Sequence, residues 1–419
     1  MTKAPAKAAE VIGAVLGPER PIGVVAYDGS RSGPPEAPVV LDIRSRKALS
    51  YLVTSPGEIG LARAYVSGEL DLHGDLYTGL RLLSGAHIGD VTWPERMKLI
   101  RALDPKALRY VDPPPEEAPT ALRRALHGIR HSKRRDAEAI SHHYDVSNRF
   151  YEWVLGPSMA YTCAVFPSEE ATLEEAQYEK FDLVARKLDL REGQRLLDVG
   201  CGWGGMVIHA AKNYGVRALG VTLSRQQAEW AQKAIAEEGL TELAEVRHSD
   251  YRDVGETGFD AVSSIGLTEH VGKRALPAYF EFLHSKLRDQ GRLLNHCITR
   301  PTTTERARAG GFIDRYVFPD GELLGVGHII SVMQNHGFEV RHEENLREHY
   351  ARTLAGWCAN LDANWADAVA EVGQGRARVW ALYMAGSRLG FEQDRIQLHQ
   401  VLGVKSTDGN SGMPLRPTW

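Results

Sequence analysis

A doubly wound, Rossmann-like α/β domain preceded by a smaller α+β domain is the fold class the sequence predicts, on three observations. Strand-like apolar runs ("RLLDVG", "RALGVTL", "FDAVSSIG", "GRLLNHCI") alternate with helical stretches ("RQQAEWAQKAIAEEG", "RALPAYFEFLHSKLRD"), the pattern of βαβ units and a parallel sheet covered by helices. The first of these strands runs into a loop made almost wholly of glycine, "GCGWGG". Upstream, "DPPPEEAP" halts regular structure, because proline lacks an amide donor and restricts the residue before it.

Taken in chain order, residues 1–110 combine a helical start, two short strand-like runs ("IGVVAYDG", "PVVLDIRS") and the segment "GEIGLARAYVSGELDLHGDLYTGLRLL" with helical spacing of apolar residues. They are expected to form the smaller α+β domain. Residues 111–139 are read as a linker, proline-rich and then basic: Arg123, Arg124, Arg130, Lys133, Arg134 and Arg135 precede the first acid, Asp136. Such a run suits docking to anionic phospholipid headgroups, at about 1 kcal/mol per cation. Residues 140–405 are assigned to the α/β domain, and the polar, turn-rich residues 406–419 to a mobile tail.

Composition narrows the functions. The 419 residues are 43% apolar and 25% charged, a globular composition. A net charge of −4 provides no global attraction to nucleic acid. Cys163, Cys201, Cys297 and Cys358 lack the spacing of a thiolate metal site or a disulfide framework, and His142–His143 without a third ligand is weak ground for a metal. The N-terminal stretch is interrupted by Glu10 and has no cleavage-type motif, which is not the pattern of a signal peptide. No apolar run approaches the roughly 20 residues of a membrane span. A reducing cytoplasm, with peripheral contact to the inner membrane face, is the expected location.

The glycine loop points to a ligand lying against bare backbone. Gly200, Gly202 and Gly205 spell G-x-G-x-x-G, but the next strand ends in "GVTLSRQQ" with no acid to hold a nicotinamide-type ribose. Asp198, just before the glycines, suits a cationic amino-acid ligand instead. S-adenosylmethionine is such a ligand.

The ordered segments "HHYDVSNRFYEWVLGPSMAYTCAVFP", "LLDVGCGWGG", "GVTLSRQQ", "SSIGLTEHVG", "LLNHCITR" and "IDRYVFPDGEL" resemble the cyclopropane-fatty-acyl-phospholipid synthase family, from about residue 140 to 403. The resemblance implies a class I methyltransferase fold and an enzyme that methylates the double bond of acyl chains. It implies a donor site of Tyr161, Thr162, Asp198, Gly200, Gly202, Thr222, Gln227, Asp250, Tyr251, Arg252 and Ile265. A catalytic bicarbonate pocket is implied at Cys163, Glu269, His296, Ile298 through its backbone, and Tyr350. Glu269 also sits where an acid favours a helix start, and Cys163 is not expected to be a covalent nucleophile. Thr268, where ring-forming members usually carry an aromatic residue, makes the chain more similar to the actinobacterial branch that builds 10-methylene and 10-methyl fatty acids from oleoyl phospholipid. A cyclopropane product is the alternative, the base's position relative to the lipid cation deciding between them. Trp357, Trp365 and Trp380 are candidates for an acyl tunnel or for plain core. A membrane surface, a reductase acting on the methylene product and a second copy of the chain are the expected partners.

Overall fold

The structure, a computed structural model, describes residues 7–17, 20–84, 109–118, 147–304, 310–319 and 321–419. The basic run, His142 and His143 lie outside the described residues. Two compact units emerge, and they are not consecutive in sequence: segments 310–317 and 365–389 belong with the front unit, the rest with the second.

The front unit contains a four-stranded sheet in the order β2–β1–β3–β4, with β1 (Ile22–Ala26), β2 (Arg31–Ser32), β3 (Val39–Ile43) and β4 (Leu70–His73). Only β1 and β3 pair in parallel. A buried arginine network ties the later segments in. Arg63 grips the Glu117 carboxylate with Nε at 2.6 Å and Nη2 at 2.8 Å, and Arg315 Nη1 and Tyr316 Oη donate to the same group at 2.9 and 3.0 Å. Arg378, in the helix Gln374–Glu392, donates to Tyr65 O at 2.7 Å and to Asp71 at 3.0 Å. The expected domain boundary at residue 140 therefore misses two pieces of chain, because guanidinium contacts more than 300 residues apart in sequence leave no local trace.

The second unit is a mixed sheet in the order β11–β12–β9–β8–β5–β6–β7. Its strands are β5 (Arg195–Val199), β6 (Arg217–Thr222), β7 (Ala244–His248), β8 (Phe259–Ile265), β9 (Leu287–Arg300), β11 (Glu339–Asn345) and β12 (Gln397–Val404), and the short β10 (Leu324–Gly325) pairs with β9. Strands β5 to β9 pair in parallel, while β12 runs antiparallel to both β9 and β11. Neighbouring residues in a strand face opposite ways: Leu196, Ala218, Ala261 and Leu294 enter one apolar layer, and Leu197, Leu219, Val262 and Leu293 the other. Helices cover both faces, which is why these strands read as continuous apolar runs. Chain order reverses on either side of β5, so the carboxyl ends of β5 and β8 flank the crevice where such sheets bind ligands.

The tail expected to be mobile is tied down. Ser406 Oγ donates to Glu339, Arg341 Nη1 donates to Ser411 Oγ at 2.7 Å, and Trp419 meets the His342 ring edge-on at 5.3 Å. Among the described residues, no helix is long and apolar enough to cross a membrane.

Candidate active site

At the end of β5 the glycine loop turns with positive φ at Gly200 (72°), Gly202 (54°) and Gly204 (78°), a conformation costly to residues with a Cβ. A Cβ on Gly200 would come within 3.2 Å of Leu267, and one on Gly202 would face the Gln227 amide at 4.0 Å. The loop feeds the helix Gly205–Tyr214, whose first turn approaches Phe181 too closely for any side chain at Gly205.

A single pocket gathers this loop with Tyr161, Thr162, Asp198, Thr222, Gln227, Tyr251, Arg252 and Ile265. All are donor-site residues expected from the sequence. Thr222 Oγ1 donates to Gln227 Oε1 at 2.7 Å, and Ser224 caps the following helix at the Gln227 amide. Asp250 does not line the pocket directly: its carboxylate accepts from Arg252 N, Nε and Nη2, holding the Tyr251–Arg252 turn. Asp198 is buried and accepts from Ser263 Oγ at 2.6 Å. Burial raises its carboxyl well above the usual range, against the pull of Ser263 and Lys180.

Lys180, which the motifs did not reveal, lines the same pocket. It rises from the helix Leu173–Leu188, is 1% exposed and donates to Thr162 Oγ1 at 3.1 Å. Burial pulls its ammonium far below the ordinary lysine value, with Asp198 and Cys163 acting in the opposite direction. Met159, Trp203, Leu267 and His270 complete the wall and were likewise not anticipated.

Of the expected acid–base residues, His296 and Ile298 lie on β9 and Glu269 reaches Ile298, while Cys163 and Tyr350 stand with the helix Arg347–Ala363. Glu269 stands on the short helix Thr268–Val271, and its Oε1 accepts from the Ile298 amide at 2.6 Å. The Ile298 N–H is therefore engaged by the carboxylate. Glu269 lies in the first turn of that helix, where an acid was expected, and Leu267, the N-cap residue, makes no side-chain capping bond. Glu269 Oε2 and His296 Nε2 are buried without a hydrogen-bond partner among the described residues, a costly condition that usually marks function. Burial lifts the Glu269 carboxyl to about 7, the Ile298 amide pulling the other way, and drives His296 well below its usual value, leaving a neutral ring.

Cys163 is fully buried, its Sγ 3.1 Å from Ala164 O and 3.7 Å from Leu346 O. Burial pushes its thiol far up despite nearby Lys180, so it remains a thiol and a poor nucleophile. The loop carrying it is bolted to the helix Arg347–Ala363 through Ala164 N to Thr353 Oγ1 (3.0 Å) and Phe166 N to His349 Nδ1 (3.0 Å). Tyr350 arises from that helix and joins an aromatic row: Trp203, Tyr151, Tyr161, Trp357, Tyr350 and Phe391 meet in sequence with ring centroids 4.5–6.0 Å apart. Of the three tryptophans singled out, only Trp357 stands here, since Trp365 and Trp380 belong to the front unit.

Fold and site together define an S-adenosylmethionine-dependent methyltransferase: a doubly wound sheet, a bare-backbone turn at its switch point and an acid where a cationic amino acid would lie. The model of mycolic acid cyclopropane synthetases matches residues 131–401, and the chain belongs to that cyclopropane synthase family of lipid-methylating enzymes. It is 57% identical over 409 residues to a probable fatty acid methyltransferase of Mycobacterium tuberculosis, covering 96% of this chain and 95% of the relative. A probable fatty acid methyltransferase of Pseudomonas putida is 39% identical over 399 residues, 94% of each chain. Among solved structures, the cyclopropane synthase MmaA2 from Mycobacterium tuberculosis is similar at a TM-score of 0.61 and 32% identity, covering 64% of this chain and 98% of that one. The mycolic acid cyclopropane synthase CmaA1 complexed with SAH and CTAB matches with the same values.

Proposed function

We propose that the enzyme methylates the cis double bond of an oleoyl-type acyl chain while that chain remains in a phospholipid, and that the product carries an exocyclic methylene branch. The observation that carries this reading is the pair of orphaned buried atoms, Glu269 Oε2 and His296 Nε2, next to a donor cradle and an aromatic wall. Methyl transfer to an amine or hydroxyl also ends in proton loss, but from a polar acceptor that needs no aromatic wall to keep water from a carbon cation.

Bound S-adenosylmethionine supplies an electrophilic methyl carbon. The chain's own residues supply the rest. The glycine loop and Asp198 hold the donor's amino-acid end, Thr222, Gln227 and the Tyr251–Arg252 turn its nucleoside end, and the aromatic row excludes water. Alkene attack on the methyl leaves a cation on the neighbouring chain carbon, which aromatic faces stabilise. Direct loss of a proton from the new methyl closes a cyclopropane ring. If a hydride first shifts from the methyl-bearing carbon, the cation moves there, and loss of the same proton gives the methylene. His296 Nε2 and Glu269 Oε2 would hold a bicarbonate, the ring nitrogen donating to it and the carboxylate accepting its O–H, and bicarbonate would supply the base; Cys163 and Tyr350 come from the loop and helix bolted together by Ala164 and Phe166.

Thr268 favours the methylene. It is 4% exposed and donates to Asn295 Oδ1 at 2.6 Å, so a hydroxyl with a fixed partner stands where an aromatic side chain would crowd β9. The expected setting is the inner membrane face, with the basic run at residues 123–135 meeting anionic headgroups, a reductase consuming the methylene and a second copy of the chain completing the assembly. The test is methyl-labelled donor with oleoyl phospholipid vesicles beside soluble amine and phenol acceptors. Label in an exocyclic methylene of the lipid supports the proposal; a ring overturns the product assignment, and label in soluble acceptors alone overturns the lipid reading.

A further inference from the structure

Three consecutive strands place Glu344 (β11), Gln400 (β12) and His296 (β9) directly opposite one another, so their side chains share one face of the sheet. Over that face lies the helix Leu173–Leu188, which lowers a second buried lysine, Lys187, onto the row two helical turns beyond Lys180. Lys187 is fully buried; its Nζ donates to Glu344 and, at 2.7 Å, to Gln400 Oε1. Gln400 is also fully buried, and its Nε2 lies 3.2 Å from His296 Nδ1.

This chain of contacts has only one consistent set of protons. A lysine ammonium has donors and no acceptor, so the amide group of Gln400 must present its oxygen to Lys187 and its NH₂ to the histidine. His296 Nδ1 then has to accept. In a neutral ring the remaining hydrogen sits on Nε2, the atom that has no partner among the described residues. We propose that Gln400, oriented by Lys187, is a positioning residue that fixes His296 as its Nε2–H tautomer, so that a hydrogen-bond donor rather than an acceptor faces the pocket beside Glu269. The burial that keeps His296 uncharged supports this, since an imidazolium could not accept from Gln400. The significance for turnover rests on the placement of His296 in the active site; the tautomer itself does not.

The test therefore has a readout that needs no substrate. Nitrogen-15 spectra of histidine-labelled protein, with His296 assigned by difference from His296→Gln, are expected to show hydrogen on Nε2 and a bare Nδ1. In Gln400→Glu the new carboxylate can only accept, so a proton is expected on Nδ1; in Gln400→Met, which removes the donor without introducing charge, both tautomers become populated. Turnover on oleoyl phospholipid is expected to fall about 10- to 100-fold in both with donor affinity unchanged, and Lys187→Met to act in the same direction less strongly. A wild-type ring protonated at Nδ1, or a Gln400→Met enzyme with a mixed tautomer and full turnover, overturns the proposal. Wild-type protein that shows the Nε2–H ring and methylates no lipid overturns the functional reading and leaves the positioning supported.

Discussion

The donor cradle and the residues proposed for acid–base work are made differently. The cradle is built around backbone from one continuous stretch, Asp198 to Gly205, with side chains from the ends of the following strands and from Tyr161, Thr162 and Lys180 upstream. The acid–base residues are side chains from five separate places: Cys163, His296, Tyr350 and Gln400 are buried, Glu269 is half-buried with its Oε2 enclosed, and Cys163, Glu269, His296 and Gln400 contact partners remote in sequence. Local geometry is enough to bind a ligand against main chain. Orphaned polar atoms require a rigid surround to persist, and such a surround is assembled only by tertiary structure.

The contrast is broken most strongly at Glu269. Replacing it with Gln keeps the shape but removes a proton-accepting group, and lipid turnover is expected to fall about 100- to 10,000-fold while calorimetry shows donor affinity unchanged. An equal loss of donor affinity would merge the two regions into one.

The same variant sharpens the comparison through stability. In the folded protein the Glu269 carboxyl titrates at about 7, raised from 4.5, so the native state binds more protons than the unfolded chain between those values. Wild-type stability is therefore expected to fall as pH rises from about 4.5 to 7 and to remain lowered above, by on the order of 3 kcal/mol from this group. Glu269→Gln escapes this loss. Chemical denaturation at pH 5 and pH 8 should show the variant gaining on wild type at the higher pH, and a constant difference would show that the carboxyl is not buried as described.

A smaller effect is expected on the cradle side. Gly200→Ala forces a side chain into positive φ and against Leu267, which costs about 1–2 kcal/mol and lowers donor affinity about tenfold, with the turnover of bound donor nearly intact. Smaller still is Lys212→Ala, which removes an exposed pair with Glu238 on the sheet's helical cover. Thermal unfolding is expected to register less than about 1 kcal/mol and donor binding none, a control separating site effects from surface ones.

The same division governs what could be read in the sequence. Asp198 and the glycines could be read from the strand–loop–helix motif itself, whose glycines announce the backbone they permit, whereas Tyr161, Thr162, Thr222, Gln227, Asp250, Tyr251, Arg252 and Ile265 were reachable by resemblance; Asp250 acts indirectly, through Arg252. Of the acid–base residues, Glu269, His296, Cys163 and Tyr350 were likewise reachable by resemblance, whereas their supports Lys187 and Gln400 were not, nor was Lys180 in the donor cradle. The two lysines fall on the stripe of the helix Leu173–Leu188 that also carries Ala176, Phe181, Val184 and Leu188, all buried. A cation twice on an apolar stripe was the available signal, obscured by the rule that lysines are solvated. Nothing local marked residues 365–389 as part of the front unit, since Arg378 finds Tyr65 and Asp71 only in the folded chain.

The most direct test of the central claim, that the pocket strips a proton from a methyl group newly placed on an acyl carbon, is mass spectrometry of lipid made with trideuteromethyl donor. The account predicts a product that keeps two of the three deuterium atoms, whichever of the ring or methylene forms. Retention of all three would mean that the methyl group stays whole on its acceptor, and that no base held by Glu269 and His296 takes a proton from it.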